Sequence, residues 1–180
     1  MYQFNRFTTL SSHLARANRG SALWSAALLF TALTITTPAS AKAQPLITFD
    51  NDDQIEDLLD AVGSVTRETD SEDILMFRGR VDGHKYALYF YGCENLKHCE
   101  SASFSAFFDK DLFDLDLEAV NAFNSEHRFG TASIDEDGDL ELEYSFTLLG
   151  GLTPVAFEDT IDWWRAVLDS GTEFFEDYAK

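Results

Sequence analysis

The chain has 180 residues, 14% of them aromatic, and a formal net charge of −19. With 32 acidic residues against 13 basic ones it lacks a basic patch to displace counterions from phosphates, which excludes nucleic acid and anionic membrane as partners. The aromatic content excludes a disordered tail, and the length suits one domain with an appendage.

The appendage comes first. Residues 1–20 carry Arg6, Arg16 and Arg19 and no acidic residue. "SALWSAALLFTALTI" follows, an uncharged run of 15 residues, and then "TTPASAKAQ" with two small-x-small sites. These features predict a secretory signal peptide over residues 1–43, cut after Ala41 or Ala43. The apolar run is shorter than the roughly 20 residues needed to span a bilayer. The expected location is therefore the periplasm or the medium, with no membrane attachment after cleavage. Loss of Arg6, Arg16, Arg19 and Lys42 leaves nine basic residues against 32 acidic ones, a net charge of −23. Residues 44–180 read as a single domain, whose 13 Phe, 5 Tyr and 2 Trp are ample for a core.

"DNDDQIEDLL" opens the domain with helix-capping side chains. Ile55, Leu58, Leu59 and Val62 then form one apolar helical stripe, and Gly63 is expected to end that helix. "SVTRETD" reads as an edge strand and "ILMFRGRV" as a second strand. Asp82-Gly83 lies between apolar runs as a type I′ hairpin turn. "YALYFYG" and "SASFSAFF" are the third and fourth strands.

A second helix is expected through "DLEAVNAFNSEHRFG", capped by Asp114 or Asp116, with Gly130 just beyond it. "TASIDEDGDLELEYSFTLL" reads as a hairpin. Leu140, Leu142, Tyr144, Phe146 and Leu148 take one face, and Glu141, Glu143, Ser145 and Thr147 the wet one. The last helix starts at Thr153-Pro154 and buries Phe157, Ile161, Trp164 and Leu168, with Gly171 expected to kink or stop it. The fold class is α+β, in the order α-β4-α-β2-α, with helices packed on one face of an antiparallel sheet.

Cys93 and Cys99 are the only cysteines. Setting them opposite one another in a hairpin pairs Phe90 with Ala102, Leu88 with Phe104 and Tyr86 with Ala106. A slip by one residue would set apolar positions against serines, so the apolar pattern supports the same register. Opposed residues lie about 4.5–5.5 Å apart at Cα, within disulfide range, and an exported chain meets an oxidising compartment. A disulfide is therefore expected. The alternative is a metal or thiol-redox centre of Cys93, His98 and Cys99, with His84, His127 or Glu94 as a further ligand. The C-x₅-C spacing differs from the C-x-x-C of thiol oxidoreductases, and His98 and Cys99 point to opposite sides of a regular strand.

The remaining acidic runs are surface features. Aligning Gly138 of "DEDGDLE" with the turn glycine of a calcium loop leaves Ser133 and Tyr144 where ligands are required, so a hairpin turn is expected. Asp109, Asp111, Asp114 and Asp116 read as caps and solvated surface. No G-x-S-x-G, H-E-x-x-H or phosphate loop occurs, so neither an enzyme nor a cofactor is expected. Tyr89, Tyr91 and Phe107 fall on the sheet face opposite Leu88, Phe90 and Phe104. They are either an exposed surface for a protein or peptide partner or are covered by a loop or the first helix. Trp163 and Trp164 cannot both point into one core, so Trp163 is a further candidate for that surface.

"YFYGCENLKHCESASFSAFFD", "LEAVNAFNSEHRFGTASIDEDGDLELEY" and "FEDTIDWWRAVL" together resemble the YbjN-domain family of bacteria, over roughly residues 46–178. The resemblance implies a fold like that of type III secretion chaperones. It also implies a sensory-transduction regulator with a non-catalytic interaction role, to which a homodimer is open. It supplies no catalytic or binding residues.

Overall fold

The computed structural model describes residues 45–180; the signal-peptide segment and both cleavage sites lie outside the described residues. A 3-10 turn, Phe49–Asn51, leads into helix α1, Asp52–Asp60, which buries Ile55 and Leu59. The helix stops before the expected glycine, with the Ala61 N–H donating to the Asp57 carbonyl at 3.2 Å. Val62 lies outside the helix and is exposed. Gly63 opens strand β1, Gly63–Thr69, because its bare Cα meets the Arg80 backbone, which a Cβ would overlap.

Strands β2 (Leu75–Val81), β3 (His84–Tyr91) and β4 (Ser101–Phe108) follow as a meander. Asp82 and Gly83 both take positive φ, 50° and 89°, as a type I′ turn requires. The β3–β4 ladder pairs Leu88 with Phe104 and Phe90 with Ala102, the register expected from the cysteines. Helix α2, Leu117–Glu126, is capped by Asp116, whose carboxylate accepts from the Ala119 N–H at 2.9 Å. Strands β5 (Thr131–Ile134) and β6 (Leu140–Thr147) complete an antiparallel sheet of order β1-β2-β3-β4-β6-β5. The β5–β6 turn is organised by Asp135, which accepts from the backbone of Asp137 and Asp139, each at 2.9 Å.

Helix α3, Pro154–Glu176, is capped by the Thr153 hydroxyl, which accepts from the Ala156 N–H at 3.1 Å. It runs unbroken through Gly171, where a Cβ would overlap the Leu142 side chain. The glycine thus serves a close approach of helix to sheet and does not end the helix.

All three helices cover the same sheet face. Ile55, Phe123, Phe157, Trp164 and Leu168 pack with Phe77, Leu88, Phe90, Phe104 and Leu142 in one core. Each such side chain contributes about 1.5–3 kcal/mol relative to exposure. Trp164 stacks on Phe104 with ring centroids 5.6 Å apart. Trp163, about 100° further round the helix, is 40% exposed. All described residues belong to one compact unit. No helix among them is long and apolar enough to cross a membrane.

Candidate functional site

Successive strand residues point to opposite faces, so burying Phe77, Leu88, Phe104 and Leu142 beneath the helices leaves their neighbours on the other face. Strand β3 thereby presents Tyr89 and Tyr91, and β4 presents Ser101 and Phe107, with Ser103 and Ser105 between them on the same face but buried by their neighbours. Strand β6 adds Glu141, Glu143, Ser145 and Thr147, the residues read as its wet face. Helix α1 lies on the other side, where Asp52, Asp53 and Glu56 clamp Arg67 of β1 at 2.6–2.7 Å. The first helix therefore does not cover the aromatics. Tyr91 is 49% exposed and Phe107 47%, with Tyr89 half-buried between them and the serines.

The ladder sets these residues in rows. Tyr89 pairs with Ser103, which pairs with Ser145; Tyr91 pairs with Ser101, which pairs with Thr147. Glu143 Oε1 accepts from Ser103 Oγ at 2.6 Å and from Ser145 Oγ at 2.7 Å. Burial pushes the Glu141 carboxyl above its ordinary range; the Ser105 hydroxyl opposes the shift, while Glu143 and Asp135 add to it. Burial also raises the Tyr91 phenol, with Glu143 and Glu141 acting in the same direction. The face thus carries aromatic rings, a central serine column and two carboxylates at one side.

Arg78, Arg80 and Lys85 complete this face at its other side. Sequence reasoning did not connect them to the aromatics. The signal was present: Arg78 and Arg80 alternate with Phe77, Gly79 and Val81, and the Asp82-Gly83 turn sets Arg80 opposite Lys85.

Trp163 is not part of the sheet face. It lies in the helix layer against Phe129, with ring centroids 4.2 Å apart. Together with His127, Arg128, Val167 and Ser170 these rings line a cavity of about 350 Å³. The four aromatics expected to serve a partner therefore divide between two sides of the molecule.

Cys93 and Cys99 are joined, with S–S 2.03 Å. Their Cα atoms are 3.9 Å apart, closer than ladder partners, because β3 ends at Tyr91 and the cysteines lie beyond the last paired residues. Inside the closed loop, Glu94 and Lys97 exchange two backbone hydrogen bonds around Asn95 and Leu96, both left-handed at φ 53° and 60°. His98, also left-handed at φ 51°, turns its Nδ1 to Asp50 Oδ2 at 2.6 Å. The other histidines are elsewhere: His84 sits beside Phe108, and His127 stacks on Phe123. Among the described residues, no three His, Cys, Asp or Glu side chains are grouped to hold a metal ion.

A family model named YbjN, described as "Putative bacterial sensory transduction regulator", matches residues 51–177. No curated protein matches the chain.

Proposed function

The chain belongs to the YbjN family, and from that membership together with the signal-peptide features of residues 1–43 we infer an exported, non-enzymatic interaction module that regulates or chaperones a bound partner. The observation that carries this reading is the sheet face bearing Tyr91 and Phe107, each about half exposed, on the side away from all three helices. Aromatic rings of this kind supply most of the energy of a protein interface, because they bury large areas with few rotors to freeze. Charged residues on either side of them, the glutamates of β6 and the basic residues of β2 and β3, give a rim that stays soluble when the partner is absent. Export is supported by the signal-peptide features of residues 1–43. A non-enzymatic role is supported by the lack of any catalytic signature in the sequence.

The test is photo-crosslinking in the exported fraction from a reactive residue placed at position 145, an exposed position within the face. Tyr91→Ala and Phe107→Ala, each first shown to be folded, are expected to abolish the crosslinked product. Undiminished crosslinking in both variants would remove the sheet face as the binding surface. Intact mass of the same material tests export: the chain should begin after Ala41 or Ala43, and a retained residue 1 contradicts it.

A further inference from the structure

The sheet face is electrostatically unlike the rest of the chain. From residue 44 onward nine basic residues oppose 32 acidic ones. The strands place three of those nine, Arg78, Arg80 and Lys85, on this face, against Glu68, Glu141 and Glu143. The strand residues of the face balance three against three, with Asp70 and Asp135 at its margins, where the molecule as a whole is strongly acidic, so two copies repel less here than elsewhere.

Its charges are also polarised across the strands. One row runs Arg78, Ala87, Ser105, Glu143, each residue paired with the next. The adjacent row runs Arg80, Lys85, Phe107, Glu141, the β3–β4 register being continued to set Lys85 beside Phe107. Among the described residues, no ion pair uses Arg80 or Lys85, whereas Arg78 pairs with Glu68 at 2.9 Å.

Consider a two-fold axis lying in the face, parallel to the strands and midway between β3 and β4. It exchanges β3 with β4 and β2 with β6 and keeps every row in place, the condition for an isologous contact. Arg80 then faces Glu141 of the other copy, and Arg78 faces Glu143. Tyr91 then faces Ser101, and Tyr89 faces the position of Ser103, which its own neighbours already bury, so no two large rings are set directly opposite. Sheets stacked face to face lie about 10 Å apart, a gap that arginine and tyrosine side chains can fill from both sides.

We propose that the sheet face docks a second copy of this chain, the arginines of β2 in each copy pairing with the glutamates of β6 in the other. The proposal rests on the reading of that face as the binding surface and names its partner. Six strands about 4.8 Å apart and four rows about 6.8 Å apart give a face of roughly 500 Å². Doubled, that is near the lower limit of specific interfaces, so a weak, salt-sensitive dimer is expected.

Sedimentation of the purified chain across the micromolar range tests this. The expected result is a dimer that dissociates on dilution and at high salt. Arg80→Glu and Glu141→Arg each set like charges face to face, and each is expected to weaken the dimer at least about tenfold. The two changes combined in one chain restore both contacts, as does an equimolar mixture of the two single variants. Circular dichroism confirms that each variant is folded, and the mixture gives the answer even where the double variant does not fold. A monomer at all concentrations, single reversals that leave the dimer intact, or a mixture that stays monomeric would each overturn the proposal. A monomeric chain whose crosslinking still depends on Tyr91 and Phe107 would sink the second copy and leave the interaction module standing.

Discussion

Arg165 and Asp82 are 83 positions apart in the chain, yet Arg165 Nε donates to Asp82 Oδ2 at 2.6 Å and Arg165 Nη2 to Asp82 Oδ1 at 3.2 Å. The fork ties the middle of α3 to the tip of the β2–β3 hairpin, where Asp82 holds a left-handed backbone. The Arg165 hydrogen bond holds the Asp82 carboxyl below its ordinary range. A depressed carboxyl contributes stability that is present above its unfolded value and lost as pH falls through its folded one. Asp82→Asn keeps the left-handed preference and removes the charge. Both side chains are over a third exposed, so the loss at neutral pH is expected to stay below about 1 kcal/mol and to shrink in salt. Urea titrations of both proteins from neutral to acid pH check this. A gap that widens as the pH falls would contradict it.

The disulfide closes a small loop, so replacing both cysteines by serine is expected to cost about 2 kcal/mol on the chain-entropy model and to leave the fold in place. Inside that loop Leu96 is left-handed and half exposed. An L-residue pays about 1–2 kcal/mol for that backbone, and Asn-Gly suits the turn better than Asn-Leu. Leu96→Gly is therefore expected to raise stability by about 1 kcal/mol, read from the urea midpoint. A loss instead would mean that the apolar lining Leu96 adds to the groove it shares with Phe49 and Leu75 outweighs the turn.

Gly171 separates two opposed effects. Helix propensity alone says that Gly171→Ala gains about 1 kcal/mol. The new methyl, however, overlaps Leu142, which is fully buried and cannot move outward. Overpacking typically costs about 1–3 kcal/mol, so a net loss is expected in thermal or urea unfolding. A stabilised variant would show that α3 can shift away from the sheet at little cost.

Glu141 carries its charge at a partly buried position on β6. Burial raises its pKa, with Glu143 and Asp135 adding to the shift and the Ser105 hydroxyl opposing it. Phe107 of β4 and Ser133 of β5 flank it in the ladder, and neither is charged. A raised carboxyl favours the folded state below its unfolded value and loses that contribution as pH rises through its folded one. Glu141→Gln keeps an acceptor for Ser105 and removes the desolvated charge. It should be more stable than the parent at neutral pH and equal to it in acid. A variant less stable at neutral pH would show that the charge is better solvated than its burial implies.

Much of the fold was legible because local chemistry and periodicity agreed. The Asp82-Gly83 turn, the Asp116 and Thr153 caps and the apolar stripe of α3 each follow from residues a few positions apart. The β3–β4 register was legible too, since a slip by one residue would have put serines in the core. The two glycine expectations failed for a common reason. Gly63 and Gly171 are set by what lies opposite them, the Arg80 backbone and the Leu142 side chain, and neither neighbour is local in sequence.

By itself, then, the amino-acid sequence determined the elements, the buried faces of the strands and the residues that face the other way. It also placed Tyr89, Tyr91 and Phe107 on one face, because strand side chains alternate with period two. Only the tertiary structure decided what shares that face. The pairing of β4 with β6, separated in the chain by α2 and β5, brings Glu141 and Glu143 beside the serine column. The packing of α3 carries Trp163 to the opposite side, next to Phe129. Long-range contacts of this kind depend on the relative placement of whole elements, which follows from the joint burial of one core and leaves no local trace in sequence.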